Sequence, residues 1–84
     1  MKSFLCFIEV FLQSDVLDVQ GQAIRNALAS HGHDDVKSVR VGKKIEIRLQ
    51  GENKDAVTEE VKAMAKNLLV NEVIEDFRIT VQPE

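Results

Sequence analysis

Runs of hydrophobic residues divide the chain into strands and helices. The first run, residues 4–12, is almost continuously apolar, which is typical of a strand buried on both faces. Apolar and polar residues then alternate in residues 39–41 and 45–49, which predicts two half-buried strands. A last alternating run, residues 77–81, predicts a fourth strand.

Two segments of helical periodicity separate these strands. Asp18 can cap the first helix, and Gly32 can take the left-handed position at its C-terminal end. Asn53 can cap the second helix, whose apolar stripe runs to Leu69 and whose end is predicted at Asn71.

The element order βαββαβ predicts an α+β fold of the ferredoxin-like type. Two right-handed split crossovers would give one four-stranded antiparallel sheet with both helices on one face and the first strand in the centre. Neither a linker nor a repeat interrupts the 84 residues. Residues 1–84 are therefore expected to form a single domain.

The two middle strands are expected to form a hairpin around residues 42–44. Val39 and Val41 must lie opposite Ile47 and Ile45 if all four side chains are to enter one core. This register requires a connection of odd length, or a bulge, and would hold Lys43 at the tip of the hairpin.

The first strand has a second apolar face that a two-layer domain cannot cover by itself. Phe4, Cys6, Ile8, Val10 and Leu12 can face the helices, so the opposite face carries another set of residues. That set is Leu5, Phe7, Glu9 and Phe11. An exposed apolar patch usually marks an association site, and we expect the chain to self-associate through this face.

Composition and charge narrow the class of partner. With 11 basic and 14 acidic residues the net charge is -3, and neither clustered basic residues nor stacking aromatics on residues 45–50 support nucleic-acid binding. The apolar run at residues 4–12 is too short for a membrane span. Cys6 is the only cysteine, which fits a cytoplasmic protein without disulfides.

One short segment resembles the phosphate-binding loop of the acylphosphatases. It comprises Val19, Gln20 and Gly21, followed by Arg25. The earlier glycines of that loop are absent, and so is the segment whose asparagine would position the attacking water. An enzyme of this type is therefore disfavoured, and no catalytic residue is predicted.

The two histidines offer a possible metal site but lack further ligands. His31 and His33 are followed by Asp34 and Asp35, and no other histidine or accessible cysteine is present to complete a site. A solvated turn is the simpler interpretation. We expect neither a metal nor a cofactor.

The ordered motifs resemble the PurS family across nearly the whole chain. PurS is the small subunit of the three-subunit type of phosphoribosylformylglycinamidine synthase. The motifs are Leu17-Asp18-x-Gln20-Gly21, Ala27-Leu28, Gly32, Val39-Arg40-Val41-Gly42-Lys43, Leu68-Leu69-x-Asn71 and Val73-Ile74-Glu75-Asp76-Phe77.

The resemblance implies a non-catalytic role in de novo purine biosynthesis. The small subunit, as a dimer, would bridge a glutaminase subunit, which releases ammonia, and a large ATP-dependent synthase subunit. Lys43 at the hairpin tip, with Arg40 and Arg48 on the open face, would contribute to docking the large subunit. Two other functions remain open: a small-molecule-binding regulatory module of ferredoxin-like fold, and the disfavoured acylphosphatase-like enzyme.

Overall fold

The computed structural model describes residues 1–84 as a three-stranded antiparallel sheet with two helices. The strands are β1 (Lys2–Leu12), β2 (Gly42–Gly51) and β3 (Glu75–Pro83), in the spatial order β2-β1-β3. The helices are α1 (Val19–Ser30) and α2 (Lys54–Met64), and α2 continues into a π-helical turn, Ala65–Leu69. The α+β class and the central position of the first strand are confirmed.

The hydrophobic core lies between one face of the sheet and α2. Because side chains alternate across a strand, β1 sends every second residue into this core, as predicted: Phe4, Cys6, Ile8 and Val10. α2 contributes Val57 and Val61, which are fully buried, and the π-helical turn contributes Ala65. Neither helix is long and apolar enough to cross a membrane.

Both predicted helix starts are confirmed by their capping hydrogen bonds. Asp18 Oδ1 accepts a hydrogen bond from Gly21 N at 2.8 Å, and Asn53 Oδ1 accepts one from Ala56 N at 2.8 Å. Each side chain satisfies an amide that has no partner within the helix. Gly32 follows α1 with φ of 92°, the left-handed position expected of it.

The predicted end of the second helix at Asn71 is wrong in its geometry. No residue other than glycine has a positive φ, so Asn71 is not a left-handed cap. The helix ends instead where Val70 N donates to Ala65 O at 2.9 Å. Asn71 Oδ1 then accepts a hydrogen bond from Val73 N at 3.2 Å and stabilises the turn into β3.

The prediction of a four-stranded sheet is wrong, because residues 36–41 form no strand and the chain does not turn at residues 42–44. These three residues lie inside β2, opposite the C-terminal half of β1. Two-residue hairpin turns require a positive φ, and Gly32 alone has one. Gly42 serves a different purpose, since a Cβ there would lie 2.5 Å from Val10 O.

The expectation that both helices cover one face of the sheet holds for α2 only. α1 makes no extensive contact with any strand, and Gly21 is its only buried residue. Two hydrogen bonds tie it to residues 36–41: Val41 N donates to Asp18 Oδ2 at 2.7 Å, and Arg25 Nε donates to Val36 O at 3.1 Å. The molecule is elongated as a result, measuring 52 × 27 × 14 Å.

Candidate subunit interfaces

The sheet face opposite α2, called the open face below, carries a row of apolar side chains along β1. Leu5, Phe7 and Phe11 are half-buried in this row, and Glu9 between them is exposed. The cross-strand neighbours on the same face are polar, apart from Gly42. They are Arg48, Glu46 and Lys44 on β2, and Gln82, Thr80, Arg78 and Asp76 on β3.

Two basic side chains lie over the aromatic rings of the open face. Lys44 Nζ is 4.3 Å from the centre of the Phe7 ring, and Arg78 Cζ is 5.6 Å from that of Phe11. Arg78 also lies 3.9 Å from Glu9, measured from Nη1 to Oε1. An apolar centre with a charged rim is the arrangement that protein interfaces use, and cation–π contacts partly shield the rings in the isolated chain.

Of the three predicted docking residues, only Arg48 lies on the open face of a strand. It stands opposite Leu5, and its Nε is 3.1 Å from Glu84 Oε2. Lys43 lies on the helix side of β2, opposite Val10. The expectation that Lys43 forms the tip of a hairpin is therefore wrong.

Arg40 lies outside the strands and is bound to the end of β1. Its Nη2 donates to Leu12 O at 2.6 Å and to Gln13 O at 3.1 Å. These carbonyls lie where the ladder between β1 and β2 ends. The structure therefore does not unite Arg40, Lys43 and Arg48 in one surface.

Asp18 joins α1 to residues 36–41 and is the most strongly engaged carboxylate in the chain. Hydrogen bonds from Val41 N and then Gly21 N favour the charged form and lower the pKa of Asp18. The side chain is also one wall of a cleft of about 430 Å³ at the end of β1, with Leu17, Val41 and Lys43 among its lining residues. This cleft is a candidate site for a small molecule.

The segment that resembles a phosphate-binding loop is occupied by structural bonds. The Gly21 amide, which would have to face a phosphate, binds Asp18 Oδ1, and the Arg25 guanidinium binds Val36 O. No group of three potential metal ligands is found, at His31 and His33 or elsewhere. Cys6 is fully buried, and burial raises the pKa of its thiol, as expected of a core residue.

Sequence reasoning missed several exposed apolar side chains. Leu17, Val19, Leu68 and Val73 are all at least two-thirds exposed. Leu68 belongs to the apolar stripe that runs to Leu69, and the stripe predicted it to be in the core. The π-helical turn after Met64 changes the angular spacing of side chains. Leu69 packs against the core instead.

Comparison with known proteins gives the family. A family model described as PurS, phosphoribosylformylglycinamidine (FGAM) synthase, matches residues 6–83. The PurS subunit of the synthase from Methanocaldococcus jannaschii is 44% identical over 71 residues, covering 84% of this chain and 86% of the relative. The chain belongs to the PurS family.

Other PurS proteins agree in sequence and in fold. The Bacillus subtilis subunit is 40% identical over 75 residues, which cover 89% of this chain and 88% of the relative. A chain in the structure of PurLQS from Thermotoga maritima is 34% identical and superposes with a TM-score of 0.89, over 96% of this chain and 99% of that one. The three-stranded PurS fold described above therefore has close counterparts among solved structures.

Proposed function

We propose that this PurS-family chain is the non-catalytic bridging subunit of FGAM synthase, joining the glutaminase subunit to the ATP-dependent synthase subunit. The observation that carries the proposal is the open face, an apolar row with a charged rim in a chain of this family. The related Thermotoga maritima chain occurs in a PurLQS structure, which supports the same kind of assembly here.

A second copy of the chain is the first occupant that we propose for the open face. Leu5, Phe7 and Phe11 supply the apolar centre. Around them, acidic and basic side chains are interspersed on both flanking strands, so two such faces can meet without opposing a single sign of charge. Arg48 lies at the rim and is proposed to contact the large subunit.

Reconstitution with the two other synthase subunits tests the bridging role. We expect glutamine-dependent formation of the amidine to require this chain, because ammonia must pass from one subunit to the other. Activity with added ammonium should need only the large subunit. Full glutamine-dependent activity without the chain would refute the bridging role.

Docking of the large subunit is tested by reversing charges. Arg48→Glu should weaken co-purification with the large subunit and reduce its dependence on salt, because a rim charge acts through screened attraction. Lys43→Glu is the matched comparison on the helix side of the same strand. Equal recovery of the complex with Arg48→Glu and with the parent would exclude Arg48 from this contact.

A small-molecule regulatory module is the second candidate, favoured by the cleft beside Asp18. A ligand that binds only the folded chain raises its melting temperature. Amino acids and nucleotides are the probes to use in a thermal shift experiment. A saturable shift that is lost in Leu17→Asp would favour this function, and no shift with any probe would exclude those ligands.

The absence of catalysis in the isolated chain is part of the proposal. Arg25 Nε is committed to Val36 O. The purified chain should hydrolyse neither an acyl phosphate nor glutamine. Turnover that disappears in Arg25→Ala would overturn this part of the proposal.

A further inference from the structure

A second cleft, called the basic cleft below, lies beside the start of α1. It has a volume of about 430 Å³ and is bounded by residues 14–18, by residues 37–40 and by the first two turns of α1. Three basic side chains, Arg25, Lys37 and Arg40, line it. In a chain with a net charge of -3, the basic cleft is a local concentration of positive charge.

The three cations of the basic cleft have no acidic partner. None of them forms a salt bridge. Two carboxylates line the same cleft, but both oxygens of Asp18 already accept main-chain hydrogen bonds. Asp15 is the other, and it is the carboxylate that opposes an anion here. Because the cations outnumber the carboxylates, the cleft favours a negatively charged ligand.

Main-chain carbonyls hold the two guanidinium groups in fixed directions. Arg25 Nε donates to Val36 O at 3.1 Å, and the Arg25 side chain is half-buried. Arg40 uses Nη2 for its two bonds to the end of β1. Each guanidinium therefore keeps N–H donors on its other nitrogen atoms. Donors that are already held in place bind a ligand with a smaller loss of conformational entropy.

This set of donors fits a phosphate group better than a carboxylate. A carboxylate has two oxygens, which a single guanidinium can satisfy. A phosphate monoester carries close to two negative charges and has three strong acceptor oxygens, so it can use two guanidinium groups and an ammonium group together. The hydroxyl groups of Ser14 and Ser38 also line the cleft and can donate to a phosphate oxygen.

The remaining wall of the basic cleft indicates a hydrophilic ligand without an aromatic ring. Only three of its eleven lining residues are hydrophobic, and none is aromatic. Nucleobases are usually stacked on aromatic side chains, so the wall does not favour a base. The volume lies within the range of about 300 to 1,000 Å³ that small-molecule sites have.

We propose that the basic cleft binds a small sugar phosphate. Arg25, Lys37 and Arg40 hold the phosphate group, and polar side chains such as Gln22 face the sugar hydroxyls. The Gly21 amide takes no part, because it is bound to Asp18, and binding involves no hydrolysis. Binding requires neither of the other synthase subunits, so a titration of the isolated chain tests this cleft without testing the bridging role.

Ribose 5-phosphate is the probe, and amide NMR shifts of the labelled chain are the measurement. We expect saturable shifts at residues 14–15 and 37–40, and weaker binding as sodium chloride is added. Ribose should cause no such shifts, and inorganic phosphate should bind at least about threefold more weakly, because it lacks the hydrogen bonds of the sugar. Absence of saturable binding, equal binding of inorganic phosphate, or tighter binding of AMP would overturn the sugar phosphate as the ligand.

Two pairs of charge-matched variants locate the site. Lys37→Gln should weaken binding at least about threefold, whereas Lys43→Gln removes the same charge from the cleft at the end of β1 and should not. Asp15→Asn should tighten binding about twofold or more, because it removes the carboxylate that repels the phosphate. The exposed Asp35→Asn should leave binding unchanged. Equal effects within either pair would overturn the assignment to the basic cleft.

Discussion

At the scale of single residues, Asp18 has more structural consequences than any other polar side chain. Both of its carboxylate oxygens accept main-chain hydrogen bonds, one from Gly21 at the start of α1 and one from Val41 before β2. The residue is buried, so water cannot replace these bonds. Together with the hydrogen bond from Arg25 to Val36 O, this ionised carboxylate therefore fixes the placement of α1 relative to residues 36–41.

The contribution of Asp18 should depend on pH. Because the pKa of Asp18 is lowered in the folded chain, its stabilisation is complete above the unfolded value of about 3.9 and is lost as the pH falls through the folded-state pKa. Asp18→Asn should speed amide hydrogen exchange of Gly21 and Val41 at neutral pH. The difference from the parent should shrink in acid, whereas the exposed Asp35→Asn should show neither effect. A difference that is constant with pH would contradict the role of the charge.

Gly21 provides a second test at this scale. Alanine favours a helix interior by about 1 kcal/mol over glycine, yet Gly21→Ala should destabilise the chain, because its Cβ would collide with Val39 O and with Asp18. The exposed Ala23→Gly is the control, and it should cost about 1 kcal/mol from propensity alone. Denaturant unfolding measures both, and a stabilised Gly21→Ala would show that α1 can move away from residues 36–41 without loss.

At the scale of elements, the two helices are stabilised differently. α2 buries Val57 and Val61 against the sheet, so tertiary packing stabilises it. α1 has an N-terminal cap and a C-terminal glycine but buries only Gly21. Helices of this length are marginal in water without packing, and α1 should be the first element to open in an isolated chain.

Removing packing from α2 should therefore destabilise the whole domain. Val61→Ala deletes two methyl groups from a fully buried site, and we expect a loss of about 2 to 3 kcal/mol in the free energy of unfolding. Leu68→Ala, at a side chain that is 84% exposed, should change stability by less than about 0.5 kcal/mol in a monomer. Equal losses for both variants would contradict the assignment of the core.

At the scale of the whole molecule, the isolated chain leaves two surfaces incomplete. The open face presents Leu5, Phe7 and Phe11. The helix side of β2 is only partly covered, and its outer edge has no partner strand. The two surfaces lie on different sides of the sheet. A compact chain of 84 residues buries only about 60% of the surface that its unfolded chain exposes, so association is the expected route to stability.

A single charged substitution tests whether the chain self-associates through the open face. Phe7 is half-buried in the isolated chain, so Phe7→Asp should still fold, but it would place an unpaired carboxylate in an interface. We expect the largest oligomer seen by sedimentation to be replaced by the next smaller species. Ala63→Asp, exposed on α2, adds the same charge elsewhere and should leave the oligomer unchanged. Parent-like association of Phe7→Asp would exclude the open face.

Local patterns in the sequence were sufficient for much of the fold. The alternation along β1 predicts which of its residues are buried, because successive side chains of a strand point to opposite faces of the sheet. Asp18 and Asn53 predict where the two helices begin, because short polar side chains accept hydrogen bonds from the free amides of a first helical turn. The motif series gave the PurS family. These inferences rest on interactions over a few residues, which sequence spacing determines.

Tertiary structure alone decided whether residues 36–41 fold back or continue straight into β2. Both forms satisfy the same alternation, and Gly42 fits a turn as well as it fits the close approach of β1. The straight form moves Lys43 to the helix side and ties Arg40 to the end of β1, so the docking set could not be read from the sequence. The path of a strand depends on which distant edge it pairs with, and that choice depends on long-range contacts rather than on local pattern.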